Sequence, residues 1–238
     1  MKLGLFYLVS LMLIHNQLTC YGCLENERIG LLDIKYFILS TGGEHFLSQR
    51  GDPSDLIFSW VDNKSSNCCY WERVKCSNIS SGHITELNLG ELEIPYFSHL
   101  TGMGSMLNVS VFRPFEELRL LNLSSNSLVG FNESRGFSSL KKLEVLDFSS
   151  NMLNCSILTS LYGLTSLKSL MLSDNNFNCS LSAIDLTKFS RLELLDLGGN
   201  HFTGSIEVVQ NLRNLKFLSL RDNYINGLVE GIILTSTK

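Results

Sequence analysis

One eleven-residue pattern recurs five times along this chain and restricts the folds open to it more than any other feature. The first copy reads L-R-L-L-N-L-S-S-N-S-L, and the five copies occupy Leu118–Leu128, Leu143–Leu153, Leu167–Phe177, Leu192–Phe202 and Leu215–Ile225. Its asparagines follow one another at steps of 25, 24, 25 and 23 residues, at Asn126, Asn151, Asn175, Asn200 and Asn223. Such a period predicts a solenoid, in which each coil buries its apolar side chains against its neighbours.

The period and the leucine positions are those of leucine-rich repeats. The sequence therefore predicts an α/β solenoid, a horseshoe with a parallel concave sheet, with five repeats over residues 118–228. Alternation along each short strand sends the leucines inward and the intervening side chains to the concave face. The asparagine after each strand can satisfy backbone groups in the bend, because its amide both donates and accepts hydrogen bonds.

The first 22 residues indicate a secretory signal peptide. Lys2 precedes an apolar run from Leu3 to Ile14, and small residues follow at Cys20 and Gly22. The alternatives are an uncleaved anchor or a buried helix, but the run is shorter than the roughly 20 residues that span a bilayer. We therefore expect the secretory pathway, with the repeats outside the cell and no membrane span within this chain.

Secretion places cysteines and N-x-S/T sequons in an oxidising, glycosylating compartment. Six cysteines remain after cleavage and are candidates for disulfides: Cys23, Cys68, Cys69, Cys76, Cys155 and Cys179. Seven sequons are candidates for glycosylation: Asn63, Asn78, Asn108, Asn122, Asn132, Asn154 and Asn178. A glycan at Asn122 would stand on a predicted concave strand and obstruct part of that face.

Residues 23–82 are predicted to form a helical cap held by disulfides, which would cover the first coil. The spacing of Ile29, Leu32 and Tyr36 indicates a helix over Glu25–Leu39, with these residues on its apolar side. Leu31, Ile34 and Ile38 widen that apolar side.

The cap cysteines should pair outward, because the adjacent Cys68 and Cys69 cannot easily bond each other. Cys23–Cys68 with Cys69–Cys76 is the simplest arrangement, although four cysteines allow three connectivities. Trp60 is expected, with Trp71, to pack the cap against the first coil, and sugar stacking is the alternative role.

Cys155 and Cys179 are one repeat apart, so they should lie in register on adjacent coils. Neighbouring strands are about 4.8 Å apart, which falls within the Cα separation that a disulfide accepts. We therefore predict a bridge between the two coils, with two separate buried thiols as the alternative.

Two further segments flank the regular repeats. Residues 83–117 are interpreted as a degenerate first repeat, with Leu92 in the asparagine position, followed by an insertion. Residues 229–238 are expected to form an uncapped C-terminal tail, because no cysteine pair or polar cap follows Ile225.

The outward strand positions are the candidates for ligand contact, and a merely solvated face is the alternative. They form three columns across the repeats: Val145, Ser169, Leu194 and Phe217; Asp147, Met171, Asp196 and Ser219; Ser149, Ser173 and Arg221.

Catalysis is not expected, and neither is a cofactor or a metal site. The histidines share no motif, and the sequence contains no G-x-S-x-G, H-E-x-x-H or G-x-x-x-x-G-K-S/T. A net charge of −4 without a basic run argues against nucleic acid as a partner.

Three segments together resemble plant extracellular leucine-rich-repeat proteins. Glu27 to Lys35 reads E-x-x-x-L-L-x-x-K, Trp60 to Cys76 contains C-C-x-W-x-x-V-x-C, and Pro114 to Asn126 reads P-F-E-E-L-R-L-L-N-L-S-S-N. The combination is similar to the receptor-like proteins, which are cell-surface receptors without a kinase domain.

The resemblance implies part of a longer ectodomain, held at the plasma membrane in its full-length form and used in defence or developmental signalling. It also implies an extracellular protein or peptide ligand and a co-receptor kinase as partners. The alternative is a secreted inhibitor or decoy, similar to plant polygalacturonase-inhibiting proteins.

Overall fold

The computed structural model describes residues 22–41, 57–63, 66–77, 82–92, 104–132 and 136–226. The predicted signal peptide up to residue 21, the sequon at Asn78 and the predicted tail lie outside these ranges. The strands are β1 (Val74–Cys76), β2 (Ile84–Asn88), β3 (Ser105–Leu107), β4 (Leu120–Asn122), β5 (Leu128–Phe131), β6 (Val145–Asp147), β7 (Ser169–Met171), β8 (Leu194–Asp196), β9 (Thr203–Ser205), β10 (Phe217–Ser219) and β11 (Tyr224–Asn226).

The helices are short, apart from the one in the cap. The α-helices are α1 (Glu25–Thr41) and α2 (Leu158–Leu161). The 3-10 helices span Cys68–Tyr70, Val109–Phe112, Gly136–Ser139, Cys155–Ile157, Leu181–Ala183, Leu186–Phe189 and Ile206–Asn211.

One seven-stranded sheet runs through the described coils in the order β1-β2-β4-β6-β7-β8-β10. All neighbours in it are parallel except β1, which runs antiparallel to β2. The central leucine of each regular strand faces inward and is buried, at Leu121, Leu146, Leu170, Leu195 and Leu218. The predicted leucine-rich-repeat solenoid with a parallel sheet is confirmed.

A second layer follows the main sheet within the coils. Strand β3 pairs with β5 and β9 pairs with β11, while 3-10 helices occupy the outer side of several coils. Aromatic rings stack from coil to coil in the interior, as between Phe177 and Phe202, whose centroids are 5.4 Å apart. The predicted degenerate repeat contributes both β2 and β3, and residues 93–103 between them lie outside the described ranges.

The side-chain amide of each repeated asparagine ties its coil to the coil before it. Asn175 Nδ2 donates to Phe148 O of the preceding coil at 2.9 Å, as well as to Leu172 O and Ser173 O of its own coil. Its Oδ1 accepts the N–H of Leu153 at 2.9 Å. The same donation to a preceding carbonyl occurs at Asn126, Asn151, Asn200 and Asn223.

These asparagines also serve a bend with an unfavourable backbone. The residue before each asparagine has a left-handed conformation, with φ of 55° at Ser125 and Ser150, 55° at Asp174, 62° at Gly199 and 53° at Asp222. Left-handed backbone is costly for residues other than glycine. The hydrogen bonds of the asparagine side-chain amide therefore help to stabilise a turn whose backbone conformation is unfavourable.

Replacing Asn175 with leucine, its near isostere, should lower the free energy of unfolding by at least about 2 kcal/mol, because buried carbonyl and N–H groups lose their partners. The midpoint of urea unfolding measures this loss. Leucine at the exposed neighbour Asn176 is the matched control and should change stability by less than about 0.5 kcal/mol. Equal midpoints for the two variants would contradict the structural role of the amide.

Two disulfides and a pair of tryptophans hold the N-terminal cap. Cys23 is bonded to Cys68 and Cys69 to Cys76, with Cα atoms 5.7 and 5.4 Å apart. Trp60 and Trp71 are buried and stack with centroids 6.0 Å apart. Their indole N–H groups donate to Glu72 O and Ser66 Oγ, each at 2.8 Å. The two rings thus serve packing, and burial removes them as surfaces for stacking sugars.

Helix α1 buries only part of the apolar side that its spacing predicted: Leu31, Ile34 and Ile38 face the interior, as expected. Ile29 and Tyr36 are 47% and 74% exposed, so their predicted inward position is wrong. The buried stripe contains Leu31, Ile34 and Ile38 and begins with the charged Glu27.

Glu27 explains this orientation, because its carboxylate joins the helix to the first parallel strand. The Glu27 side chain accepts the backbone N–H of Ile84 at 3.0 Å and lies 3.3 Å from His83 Nδ1. Burial raises the Glu27 pKa above its ordinary value, and the contacts with Ile84 and His83 reverse only part of that rise.

The raised Glu27 pKa determines how the contribution of this group to the free energy of unfolding changes with pH. Between the ordinary value of 4.5 and the higher folded value, the folded chain binds more protons than the unfolded chain. The free energy of unfolding contributed by this group therefore falls as the pH rises through that interval.

Glu27→Gln should remove this decline, because glutamine does not ionise and its carbonyl can still accept the Ile84 N–H. We expect the urea midpoint of the variant, measured from below pH 4.5 to neutrality, to exceed that of the wild type by an amount that grows as the pH rises. Glu86→Gln, a change in an ion pair on the surface with Lys75, serves as the control. Parallel curves for the wild type and Glu27→Gln would show the expectation to be wrong.

Candidate ligand-binding face

The outward side chains of the main sheet stand in register across successive coils. Val145 pairs with Ser169, Ser169 with Leu194 and Leu194 with Phe217, without a register shift. These four side chains are half-buried, as expected where side chains stand beside neighbours on an open sheet. The first predicted column thus forms a mostly apolar strip across the concave face.

The acidic positions of the second column also fix the turns that follow the strands. Asp147 Oδ1 accepts the Ser149 N–H at 2.8 Å and its hydroxyl at 2.6 Å. Asp196 Oδ1 accepts the Gly198 N–H at 3.0 Å. A short acidic side chain that binds the backbone two residues ahead stabilises such a turn. Both carboxylates are half-buried and lie two coils apart, on either side of Met171.

Arg221 changes the third column from the one that the repeat pattern predicts. Its Nη2 lies 3.4 Å from Asp174 Oδ2, two coils back, while its Nη1 lies 3.2 Å from Asp222 Oδ2. The arginine stem crosses Gly198, where a Cβ would come within 2.8 Å of Arg221 Cγ. Glycine at that position therefore makes room for a cation laid along the face.

Ser173 and Ser219 are only 6% and 4% exposed, so their prediction as accessible contact residues is wrong. Ser219 lies beside the glycine that the Arg221 stem crosses, since a Cβ at Gly198 would come 3.1 Å from Ser219 Oγ. Repeat position alone does not reveal this burial, because it depends on the side chains that surround each serine. Ser149 is half-buried and Arg221 is exposed.

A charged ladder borders the sheet at the residue before each strand, and sequence reasoning missed it. Arg119 Nη1 lies 2.6 Å from Glu144 Oε1, and Lys168 Nζ lies 2.7 Å from Glu144 Oε2. Lys216 Nζ lies 2.6 Å from Glu193 Oε2 in the same way. The Lys168 hydrogen bond lowers the Glu144 pKa, and the Lys216 hydrogen bond lowers the Glu193 pKa. The signal was present as alternating charge at one repeat position.

The sequons differ in how their side chains are placed. Asn63, Asn132, Asn154 and Asn178 are exposed, whereas Asn108 and Asn122 are half-buried. Asn108 Oδ1 accepts the N–H and hydroxyl of Ser110, and Asn122 Oδ1 accepts the Ser124 N–H at 2.8 Å. Asn122 stands on β4 within the concave sheet, as its repeat position predicts.

Cys155 and Cys179 form a disulfide between adjacent coils, with Cα atoms 6.2 Å apart. Across the described ranges, no group of three or more His, Cys, Asp or Glu side chains is arranged to hold a metal ion. None of the helices that the structure describes is long and apolar enough to cross a membrane.

The helical cap, the parallel concave sheet and the repeated asparagines define a leucine-rich-repeat solenoid with its N-terminal domain. The family described as Leucine rich repeat matches residues 116–177, and the Leucine rich repeat N-terminal domain matches residues 24–77. The chain therefore has the leucine-rich-repeat fold, and over most of its length its sequence is similar to those of plant receptor-like proteins.

Two relatives from Arabidopsis thaliana illustrate this similarity. Receptor like protein 21 is 35% identical over 94% of this chain and 22% of its own length. Receptor-like protein 14 is 38% identical over 94% of this chain and 22% of its own length. The chain thus spans about a fifth of the length of these curated relatives.

Solved plant ectodomains share the fold. The BIR2 ectodomain from Arabidopsis thaliana superposes with a TM-score of 0.60 at 22% identity, over 87% of this chain and 96% of that one. The ectodomain of the receptor kinase SOBIR1, also from Arabidopsis thaliana, gives 0.53 at 22% identity, over 87% and 98%.

Proposed function

We propose that this chain is the cap-bearing part of a plant cell-surface receptor ectodomain and binds an extracellular protein or peptide on its concave face. The observation that carries the proposal is the in-register apolar strip of Val145, Leu194 and Phe217 beside the acidic Asp147 and Asp196. Solenoids bind partners on such extended concave surfaces. The similarity to receptor-like proteins supports the same assignment.

The chemistry of this face favours an apolar ligand segment that carries basic groups. Val145, Leu194 and Phe217 remain half-buried and can be covered further by apolar ligand side chains. Asp147 and Asp196 lie on the adjacent column and would attract cationic groups. Arg221 is already held by Asp174 and Asp222, so a basic ligand need not lie over an unpaired arginine.

We infer that the chain binds its ligand without chemical reaction. Asp147 and Asp196 are two coils apart, about 10 Å by strand spacing, and each uses Oδ1 to hold a turn. This arrangement provides no adjacent acid and base. The alternative of a secreted inhibitor has less support, since the relatives at 35% and 38% identity are receptor-like proteins.

A random peptide library displayed on phage tests the binding face. Peptides selected on the secreted chain should bind Leu194→Glu at least about tenfold more weakly, a loss of about 1.4 kcal/mol, because a buried apolar contact becomes charged. Leu194→Ser is a milder second variant, and thermal unfolding checks that both remain folded.

Ala183→Glu is the matched control, because Ala183 is exposed on the short 3-10 helix Leu181–Ala183 rather than on the sheet. Selected peptides should bind this variant within about twofold of the wild type. Selected peptides that bind Leu194→Glu as tightly as the wild type would count against the concave face as the binding surface.

A further inference from the structure

Two sequons contain the cysteines of the cross-coil disulfide as their middle residues. Asn154-Cys155-Ser156 and Asn178-Cys179-Ser180 occupy equivalent positions on neighbouring coils. We propose that they act as a single modification site, in which Asn154 receives an N-linked oligosaccharide and Asn178 remains unmodified because the disulfide closes at its sequon first. The proposal rests on the secretory route implied by the proposed function.

The folded structure holds both sequons in fixed local geometry. Asn154 Oδ1 accepts the Ser156 N–H at 2.9 Å, and Ser156 already belongs to the 3-10 helix Cys155–Ile157. The Thr203 N–H donates to Cys179 O at 3.1 Å, and Ser180 and Thr203 form an isolated parallel β-bridge between the two coils. An acceptor asparagine must fit into the transferase together with its hydroxyl residue, so modification belongs to the time before these contacts form.

The disulfide restrains the backbone of the second sequon, Asn178-Cys179-Ser180, as well as its cysteine side chain. The Cys179 N–H donates to Cys155 Sγ at 3.1 Å, so the bridge also engages the backbone between Asn178 and Ser180. Asn154 and Asn178 themselves are exposed. Surface exposure in the folded state therefore does not distinguish them, whereas the time at which the bridge closes does.

The order of synthesis separates the two sequons. Cys179 follows Asn154 by 25 residues, which corresponds to roughly 1–5 s at about 5–20 residues per second. During that time Cys155 has no partner from the next coil, and Asn154 is available to the transferase. Asn178 appears together with Cys179, when Cys155 is already present. Closing a short loop takes microseconds or less, so the oxidant sets the rate of bridge formation.

N-glycosylation and disulfide formation use different atoms and different co-reactants, so they compete only in time. Glycosylation joins the anomeric carbon of a lipid-diphosphate-linked oligosaccharide to Asn Nδ2, with the lipid diphosphate as leaving group and one amide proton lost. Bridge formation oxidises the thiols of Cys155 and Cys179 by thiol–disulfide exchange. The two electrons and two protons pass to the disulfide of a protein thiol oxidase in the secretory compartment, which becomes a dithiol.

Glycopeptide mass spectrometry of the full chain tests the proposal, on both secreted and cell-retained protein so that a folding defect does not hide the result. In the wild type, Asn154 should be mostly occupied and Asn178 severalfold less. The double variant Cys155→Ser with Cys179→Ser keeps both sequons as N-S-S. Its Asn178 occupancy should rise severalfold, to the level at Asn154.

The double variant Cys69→Ser with Cys76→Ser is the matched control, because it removes a disulfide that lies in no sequon. Asn178 should remain poorly occupied in it, as in the wild type. High occupancy of Asn178 in this control would show that slower folding in general, rather than the Cys155–Cys179 bridge, governs the site, and would overturn the proposal.

Three other results would also overturn the proposal. They are equal, high occupancy of Asn154 and Asn178 in the wild type, unchanged Asn178 in the Cys155→Ser, Cys179→Ser variant, and a rise at Asn178 in Asn154→Gln with the bridge intact. A chain without a glycan at any sequon, including the exposed Asn132, would instead overturn the secretory route and with it the proposed extracellular function.

Discussion

The side-chain amide of one asparagine per coil is the interaction on which this solenoid depends. Each main strand is only three residues long in the regular repeats, so the sheet alone makes few hydrogen bonds per coil. In the bend after each regular strand, the residue before the asparagine is left-handed, which costs roughly 1–2 kcal/mol for a non-glycine residue such as Asp174. Asn175 and its equivalents offset this cost by satisfying carbonyl and N–H groups on two coils at once. The same atoms thus shape the turn and determine how neighbouring coils stack.

At the beginning of the solenoid, other groups supply the hydrogen bonds that join one coil to the next. Helix α1 places Glu27 where its carboxylate accepts the Ile84 N–H of the first parallel strand. Leu92 lies buried where the later coils have asparagine, and Asn126 donates to Leu89 O of that first coil. The cap therefore combines an ionisable acceptor with disulfides and stacked tryptophans, while the later coils use neutral amides. The junction of cap and repeats therefore depends on an ionisable group, the Glu27 carboxylate, whereas the later coils are joined by neutral amides.

Features that repeat locally could be predicted from the sequence, and features that depend on distant side chains could not. The inward leucines, the asparagines and the register of Cys155 with Cys179 follow from a period that each coil repeats. The side of α1 that is buried depends on Glu27 finding a backbone donor 57 residues away, which apolar spacing does not encode. The path of Arg221 over the concave face likewise depends on Asp174, two coils back, and on the absence of a side chain at Gly198. Of the candidate face, the columns were predictable, but their accessibility was not.

The Cys155–Cys179 bond also sets a mechanical property of the chain. Contacts in a solenoid join neighbouring coils, so tension applied at the two ends can peel coils away one at a time. The bridge encloses a segment with a sequence separation of 24 residues, which would measure about 80 Å if fully extended. While the disulfide is intact, the pulling force bypasses this segment and cannot extend it. The bond therefore acts as a tether that limits how far the structure can be drawn out before a covalent bond must break.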